Sequence, residues 1–203
     1  MAYFPTIDEP RVDATMTLPQ RYTRPAIALH WLVAILIGVN LALVWSVDFV
    51  PDAYTRPIIN THKSIGITVL GLAVLRLLWR LSHEPPPLPT TYKLWERRVS
   101  HWAHIVLYVL IFALPLTGWL HDSAWKAAAT HPFYLFGAVP WPRIGWIMNL
   151  DPATKETLHG LFGETHSALA DILYVFVVAH ILGALKHQFI DREPELQRMM
   201  PER

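Results

Sequence analysis

Four histidines in this chain fall where an ionisable side chain is costly. His30 lies in one long apolar run, His62 opens a second, and His166 and His180 belong to a fourth. Ionisable residues inside such runs usually mark function. His166 and His180 are 14 residues apart. At 100° per residue that spacing returns to nearly the same helix face, about 21 Å further along the axis. Two ligands on one stripe, at two depths, is what two stacked haems require. Depth then pairs the remaining two: His180 with His30 on one level, His166 with His62 on the other. Each imidazole must be neutral to bind iron, and each remaining ring nitrogen should find a hydrogen-bond acceptor. Leu173 lies midway on the stripe and should pack between the two rings.

Arg76 stands 14 residues after His62. It therefore shares that helix face at the depth of His30 and His180, where it is expected to pair with a haem propionate. An arginine snorkelling to the headgroups is the plainer alternative. His101 and His104, at the start of the third run, rival His30 for its role. His159 and His187 continue the phase of His166 and His180 just beyond them, and His187 is placed to reach a quinone or to sit among headgroups. His83, His121 and His131 fall in or near connections and are expected to be solvated.

These residues need helices long enough to cross a bilayer. About 20 apolar residues span a hydrocarbon core about 30 Å thick. Four segments qualify: Ala26–Val47, Ile58–Leu81, Ser100–Leu120 with Pro115 as an expected kink, and His166–Ile190. The fold expected is all-α, an integral membrane four-helix bundle. The connection from Asp48 to Pro57 is short. The next contains HEPPPLPTTYK, which cannot stay helical. The third, Asp122 to Thr165, is long and aromatic and reads as a cap on the membrane surface. The domain reading is a tail over 1–24, a membrane domain over 25–190 and a second tail over 191–203. The first 24 residues lack the pattern of a signal peptide.

Composition narrows the chemistry. The chain is 53% hydrophobic and only 16% charged, with a net charge of +1, so nothing points to nucleic acid. It has no cysteine, which excludes disulfides, iron–sulfur clusters and covalent haem attachment. Any haem must be of the b type. Lys and Arg gather around the N-terminal tail (Arg11, Arg21, Arg24), the second connection (Arg76, Arg80, Lys93, Arg97, Arg98) and the C-terminal end (Lys186, Arg192, Arg198, Arg203). Arg56, Lys63, Lys126, Arg143 and Lys155 lie on the opposite side. The asymmetry predicts cytoplasmic N- and C-termini.

With these segments in place, the chain resembles the prokaryotic cytochrome b561 family from about Arg24 onward. The resemblance rests on ALHWLVAILI around His30, RPIIN-x-HKSIGI around His62, the Arg76/Arg80 pair, HWAHIVLYVLIFALPLTG, ETHSALADILYVFVVAH and the closing RMMP. It implies two haem b groups held by His30, His62, His166 and His180, electron exchange with ubiquinone, and a bacterial inner membrane location. At least one family member is regarded as a superoxide oxidase, so the donor implied is superoxide or a redox protein at the outer side. The N-terminal tail and third connection are longer here than the family pattern. A haem-bearing membrane anchor for a hydrogenase or dehydrogenase subunit is the alternative, and a small-solute permease a third. Beyond the lipid bilayer, self-association into a homodimer is left open.

Overall fold

The computed structural model describes residues 21–89 and 91–200. Most of the expected N-terminal tail, and the last three residues of the C-terminal one, lie outside the described residues. The chain forms four long helices: α1 (Arg24–Ser46), α2 (Asp52–Ser82), α3 (Leu94–Ala124) and, after a four-residue α4 (Gly145–Met148), α5 (Pro152–Leu185). A short α6 (Glu195–Arg198) closes the described chain. All four long helices are long and apolar enough to cross a membrane. The protein is an all-α membrane bundle.

Helix α1 opens with a proline in its first turn, where no N–H is needed, and runs into a 3₁₀ turn, Val47–Phe49. Helix α2 starts at Asp52, earlier than the apolar pattern suggested. Pro57 lies in its second turn and leaves the carbonyl of Ala53 without its helical donor. Helix α3 continues unbroken through Pro115. The largest correction concerns α5, which begins at Pro152 rather than His166. Asp151 caps it, accepting from the amides of Ala153 and Thr154 at 3.1 and 3.0 Å, and Pro152 sits in its first turn. Asp-Pro is a strong start signal, but the charged stretch that follows hides it from a reading based on hydropathy. The third connection is thus shorter, from Trp125 to Asp151.

That connection folds into a compact cap. Its centre is a two-stranded antiparallel hairpin, β1 (Tyr134–Leu135) and β2 (Val139–Pro140). The loop puts Phe136 and Gly137 at positive φ, 51° and 74°. The Phe136 amide donates to the buried Ser64 hydroxyl at 2.9 Å, which docks the strained turn on α2. The Ile144 amide likewise donates to Ser123 Oγ on α3, at 3.0 Å.

Along the bundle α1 packs on α2, α2 on α3, and α3 on α5. The fully buried apolar core is small, centred on Val33, Ile65 and Val69 with Leu36 and Leu72 around it. Large apolar side chains such as Trp31, Ile35, Val109 and Val175 point outward. In water this would be an aggregation surface; in a bilayer it is the lipid-facing one, because lipid tails are as apolar as the side chains. Opposite the cap, the chain end is tied down. Arg198 is buried and donates to the carbonyls of Pro86 and Pro87, and Trp31 donates to the Met199 carbonyl.

Candidate functional site

The histidines on α5 meet partners on other helices at two levels. At the end nearer the cap, the rings of His166 and His62 have centres 6.1 Å apart with planes at 84°. At the other end, His180 and His30 have centres 6.3 Å apart with planes at 65°. Leu173, seven residues from each α5 histidine, is buried between the levels. The cap-side pair sets α5 opposite α2, and the other pair sets it opposite α1.

At the cap-side level both rings have their Nδ1 occupied. His166 Nδ1 lies 3.0 Å from the Leu114 carbonyl and 3.1 Å from Thr117 Oγ1. His62 Nδ1 lies 3.4 Å from the Asn40 carbonyl. Carbonyls accept, so these contacts put the proton on Nδ1 and leave Nε2 with its lone pair for a metal. A Cβ on Gly118 would lie 3.3 Å from His166 Cε1, close enough that the ring or α3 would have to give by a few tenths of an ångström.

The other level differs. His30 Nδ1 meets Arg76 Nη2 at 3.0 Å. A guanidinium can only donate, so this contact uses the Nδ1 lone pair. The expectation that every free ring nitrogen would find an acceptor does not hold for His30. Arg76 stands at the depth foreseen for it, half-buried, with its guanidinium 5.2 Å from the centre of the Tyr108 ring; Arg80 lies 5.7 Å from the same ring. His104, the rival for the His30 role, lies edge-on to His180 at 5.4 Å, and its Nδ1 bonds to the Ser100 carbonyl at 2.6 Å. His101 is exposed beside Trp102.

Histidines expected to be solvated fall into two groups. His83 is exposed and stacks on Trp79, and His131 is held in the cap by the Ala127 carbonyl. His121 is a correction. It stacks on His159 with centres 3.9 Å apart, and each Nδ1 bonds the other residue's carbonyl, at 2.8 and 3.0 Å. The reciprocal pair clamps α3 to α5 just beyond His166.

Hydropathy alone did not single out Asp122 as a buried anchor. Its carboxylate is 5% exposed and takes Lys63 at 2.6 Å and Arg143 at 2.8 Å. Arg143 also donates to the Ala128 and His131 carbonyls. The cap is thus bolted to α2 and α3 beside His62 by one buried ion triad. One other residue is visible in the sequence as a polar group in an apolar helix, Thr117 beside His166; Asn40 meets His62 through its backbone carbonyl, a contact that its side chain does not announce. Asp171, the lone carboxylate within the apolar part of α5, is exposed. At 100° per residue it faces away from the His166–His180 stripe.

At the far end, His187 lies in a π turn, Lys186–Ile190. It stacks on Tyr92 with centres 4.1 Å apart and planes at 18°, and its Nδ1 meets Asp191 Oδ2 at 2.7 Å.

A membrane bundle in which two histidines of one helix each face a histidine of another helix, at two levels, is the arrangement of an integral membrane cytochrome. Comparison with known sequences gives the family: residues 21–202 match the description "Prokaryotic cytochrome b561", and the chain belongs to that family. It is 35% identical to cytochrome b561 homolog 2 of Escherichia coli (strain K12), over 90% of this chain and 92% of that protein. It is 28% identical to a probable superoxide oxidase of Yersinia pestis, over 91% and 98%, and 24% identical to cytochrome b561 homolog 1 of Escherichia coli (strain K12), over 90% and 98%. Membership makes this a multi-pass membrane protein that binds b-type haem and transfers electrons.

The residues fit such a group. Imidazole nitrogens bind a first-row metal at about 2.0–2.1 Å, so two rings on opposite sides of one ion have centres roughly 6.3 Å apart. Both observed spacings, 6.1 and 6.3 Å, match that value.

Proposed function

We propose that the chain holds two b haems, one between His62 and His166 and one between His30 and His180, and carries electrons from an outer donor to ubiquinone. The observation that carries this reading is the pair of metal-spanning ring separations, set two helical turns either side of Leu173. When bound, haem supplies reversible one-electron transfer. The chain's own residues then set its surroundings. Leu114, Thr117 and Asn40 orient the His166 and His62 rings and fix the tautomer with Nε2 free. Arg76 supplies positive charge at the other level, where it neutralises a propionate once its contact with His30 Nδ1 is released. Gly118 and Leu173 keep the rings closely walled by protein.

The excess of Lys and Arg at the His30 end makes that end cytoplasmic and the cap periplasmic, in a bacterial inner membrane. Superoxide is the donor that the Yersinia pestis relative suggests. Cations at the cap could steer such an anion, but not all five that the sequence offers are available. Lys63 and Arg143 are held by the Asp122 carboxylate, which offsets one of their two charges, and Lys155 is buried. Arg56 and Lys126, both exposed, carry the attraction. His187, at the cytoplasmic end, is the residue that would hold a ubiquinone carbonyl. A second reading, a haem-bearing anchor for a periplasmic redox subunit, is favoured by one observation: the cap exposes Tyr134, Phe136 and Trp146 together. Such aromatics suit a protein contact.

The test is haem stoichiometry. Purified protein should give two haems per chain by pyridine haemochrome, one in His62→Ala or His30→Ala, and none when His166 and His180 are both replaced by Ala. A wild-type ratio below two, or retention of both haems in the double variant, would sink the assignment. Co-purification with a periplasmic subunit would favour the anchor reading over superoxide as donor.

A further inference from the structure

Asp171 stands in the apolar part of α5 and takes no part in the histidine pairs. It lies five residues past His166 and two before Leu173, so it is well inside the bilayer. Among the described residues it has no hydrogen-bond or ion-pair partner. Its side chain is exposed, on the face of α5 turned away from the histidine stripe. Escape to the headgroups needs a long stem, as in lysine or arginine, and aspartate has a single methylene. An ionisable group left against lipid is costly, and such residues normally face a partner.

The neighbours of Asp171 on that face form a seam. Glu164, Val175, Val178 and Leu182 are all exposed, and at 100° per residue they fall within about 40° of Asp171. Their steps of seven, four, three and four residues from Glu164 onward repeat every 3.5 residues on average. That is the period by which one helix keeps a continuous contact with another. Ala168, Val175 and Val178 are small or β-branched, so a second backbone can come close. Within the bundle α5 packs on α3, and this seam is left uncovered.

We propose that two copies of the chain associate through this face of α5, with the two Asp171 carboxyls hydrogen-bonded to each other inside the bilayer. Copies inserted in the same orientation are related by a twofold axis along the membrane normal, so a seam residue meets its own counterpart at its own depth. A carboxyl in hydrocarbon is stable as the neutral acid, which carries one O–H donor and an acceptor oxygen. Two such groups across a twofold axis satisfy each other. The chain offers no cation instead. The apolar runs of α1, α3 and α5 contain no Lys or Arg, Lys63 of α2 is held by Asp122, and Arg76 is at the His30 level. Asn40, at a similar depth on α1, is turned toward Gly66 of α2. Glu164 is the other charged residue of the seam. It lies about 10 Å toward the cap, where water and salt screen its repulsion from its counterpart.

The chain has no cysteine, so a single introduced thiol reports contact cleanly. Val175→Cys, on the seam, should give a covalent dimer on mild oxidation of native membranes. Val109→Cys, on the exposed face of α3, should not. Equal cross-linking at the two positions would overturn the proposal. Association is then measured in liposomes by energy transfer between chains of holoprotein tagged at the C-terminus, over falling protein-to-lipid ratios. Asp171→Leu should keep its haem and need a roughly tenfold higher density in the bilayer to dimerise. Asp171→Asn, which keeps a donor and an acceptor, should associate nearly as the wild type does. A wild type that is monomeric at every density, or an Asp171→Leu variant that dimerises normally, would overturn the proposal. Loss of haem in Asp171→Leu would do so too, since Asp171 would then serve the single chain. So would a different membrane protein that co-purifies in equal amount and is released by Asp171→Leu.

Discussion

Gly118 sets how closely α3 approaches the His166 ring, and the contact is tight enough to be tested with one methyl group. A Cβ there would lie 3.3 Å from His166 Cε1, so the ring or the helix must give by a few tenths of an ångström. The ring is held by the Leu114 carbonyl and Thr117, and so cannot swing freely. Overpacking of this kind costs about 1–3 kcal/mol. Gly118→Ala is therefore expected to lower the melting temperature and to broaden the spectrum of the haem at the His62/His166 level, leaving the other haem's spectrum as it was. Equal disturbance of both haems would show that the contact acts on the bundle as a whole. Arg76 belongs to the same scale. One guanidinium separates a level whose histidines already present Nε2 from one where a donor occupies the Nδ1 of His30.

At the scale of elements, the cap depends on Asp122. Its carboxylate joins Lys63 of α2 to Arg143 of the cap, while Arg143 gathers two backbone carbonyls from the cap itself. Removing one member of a buried ion cluster leaves the others uncompensated, at a cost of about 3–5 kcal/mol. Asp122→Ala should then destabilise the protein by that amount and loosen the segment from Trp125 to Asp151. Limited trypsin digestion, which cuts after Lys126 and Arg143, should show accelerated cleavage there with α1 and α5 intact. Digestion at the wild-type rate would mean that the Phe136–Ser64 and Ile144–Ser123 hydrogen bonds hold the cap without the triad. The reciprocal stack of His121 on His159 does comparable work between α3 and α5, a role that a reading of each histidine by itself could not assign.

Over the whole molecule, charge and hydropathy divide the work. The apolar exterior fixes the chain in the bilayer, and the charges sort its two ends. If superoxide is the donor, its capture should depend on the exposed cations at the cap, because steering acts on free charge. Replacing Arg56 and Lys126 together with Glu should slow superoxide consumption and flatten its dependence on salt, measured in detergent over a range of ionic strength. A parallel loss of haem would redirect the explanation to folding. Lys63 and Arg143 are unsuitable for this test, since changing either breaks the Asp122 cluster.

Much of this architecture could be read from the sequence because it follows from local periodicity. The four apolar runs define four membrane helices, and the spacing of 14 between His166 and His180 puts both on one face with no knowledge of neighbours. Shared depth then suggests which rings meet, and the structure brings those rings to 6.1 and 6.3 Å. Other features required tertiary structure, because they depend on groups distant in sequence. Hydropathy reports where helices contact lipid rather than where they end, so the apolar run marks only the later part of α5. The pairing of Asp122 with Lys63 and Arg143, the stacking of His121 on His159, and the meeting of Arg76 with His30 are contacts between helices. Long-range side-chain contacts leave no periodic trace in the chain, and only the packed bundle decides them.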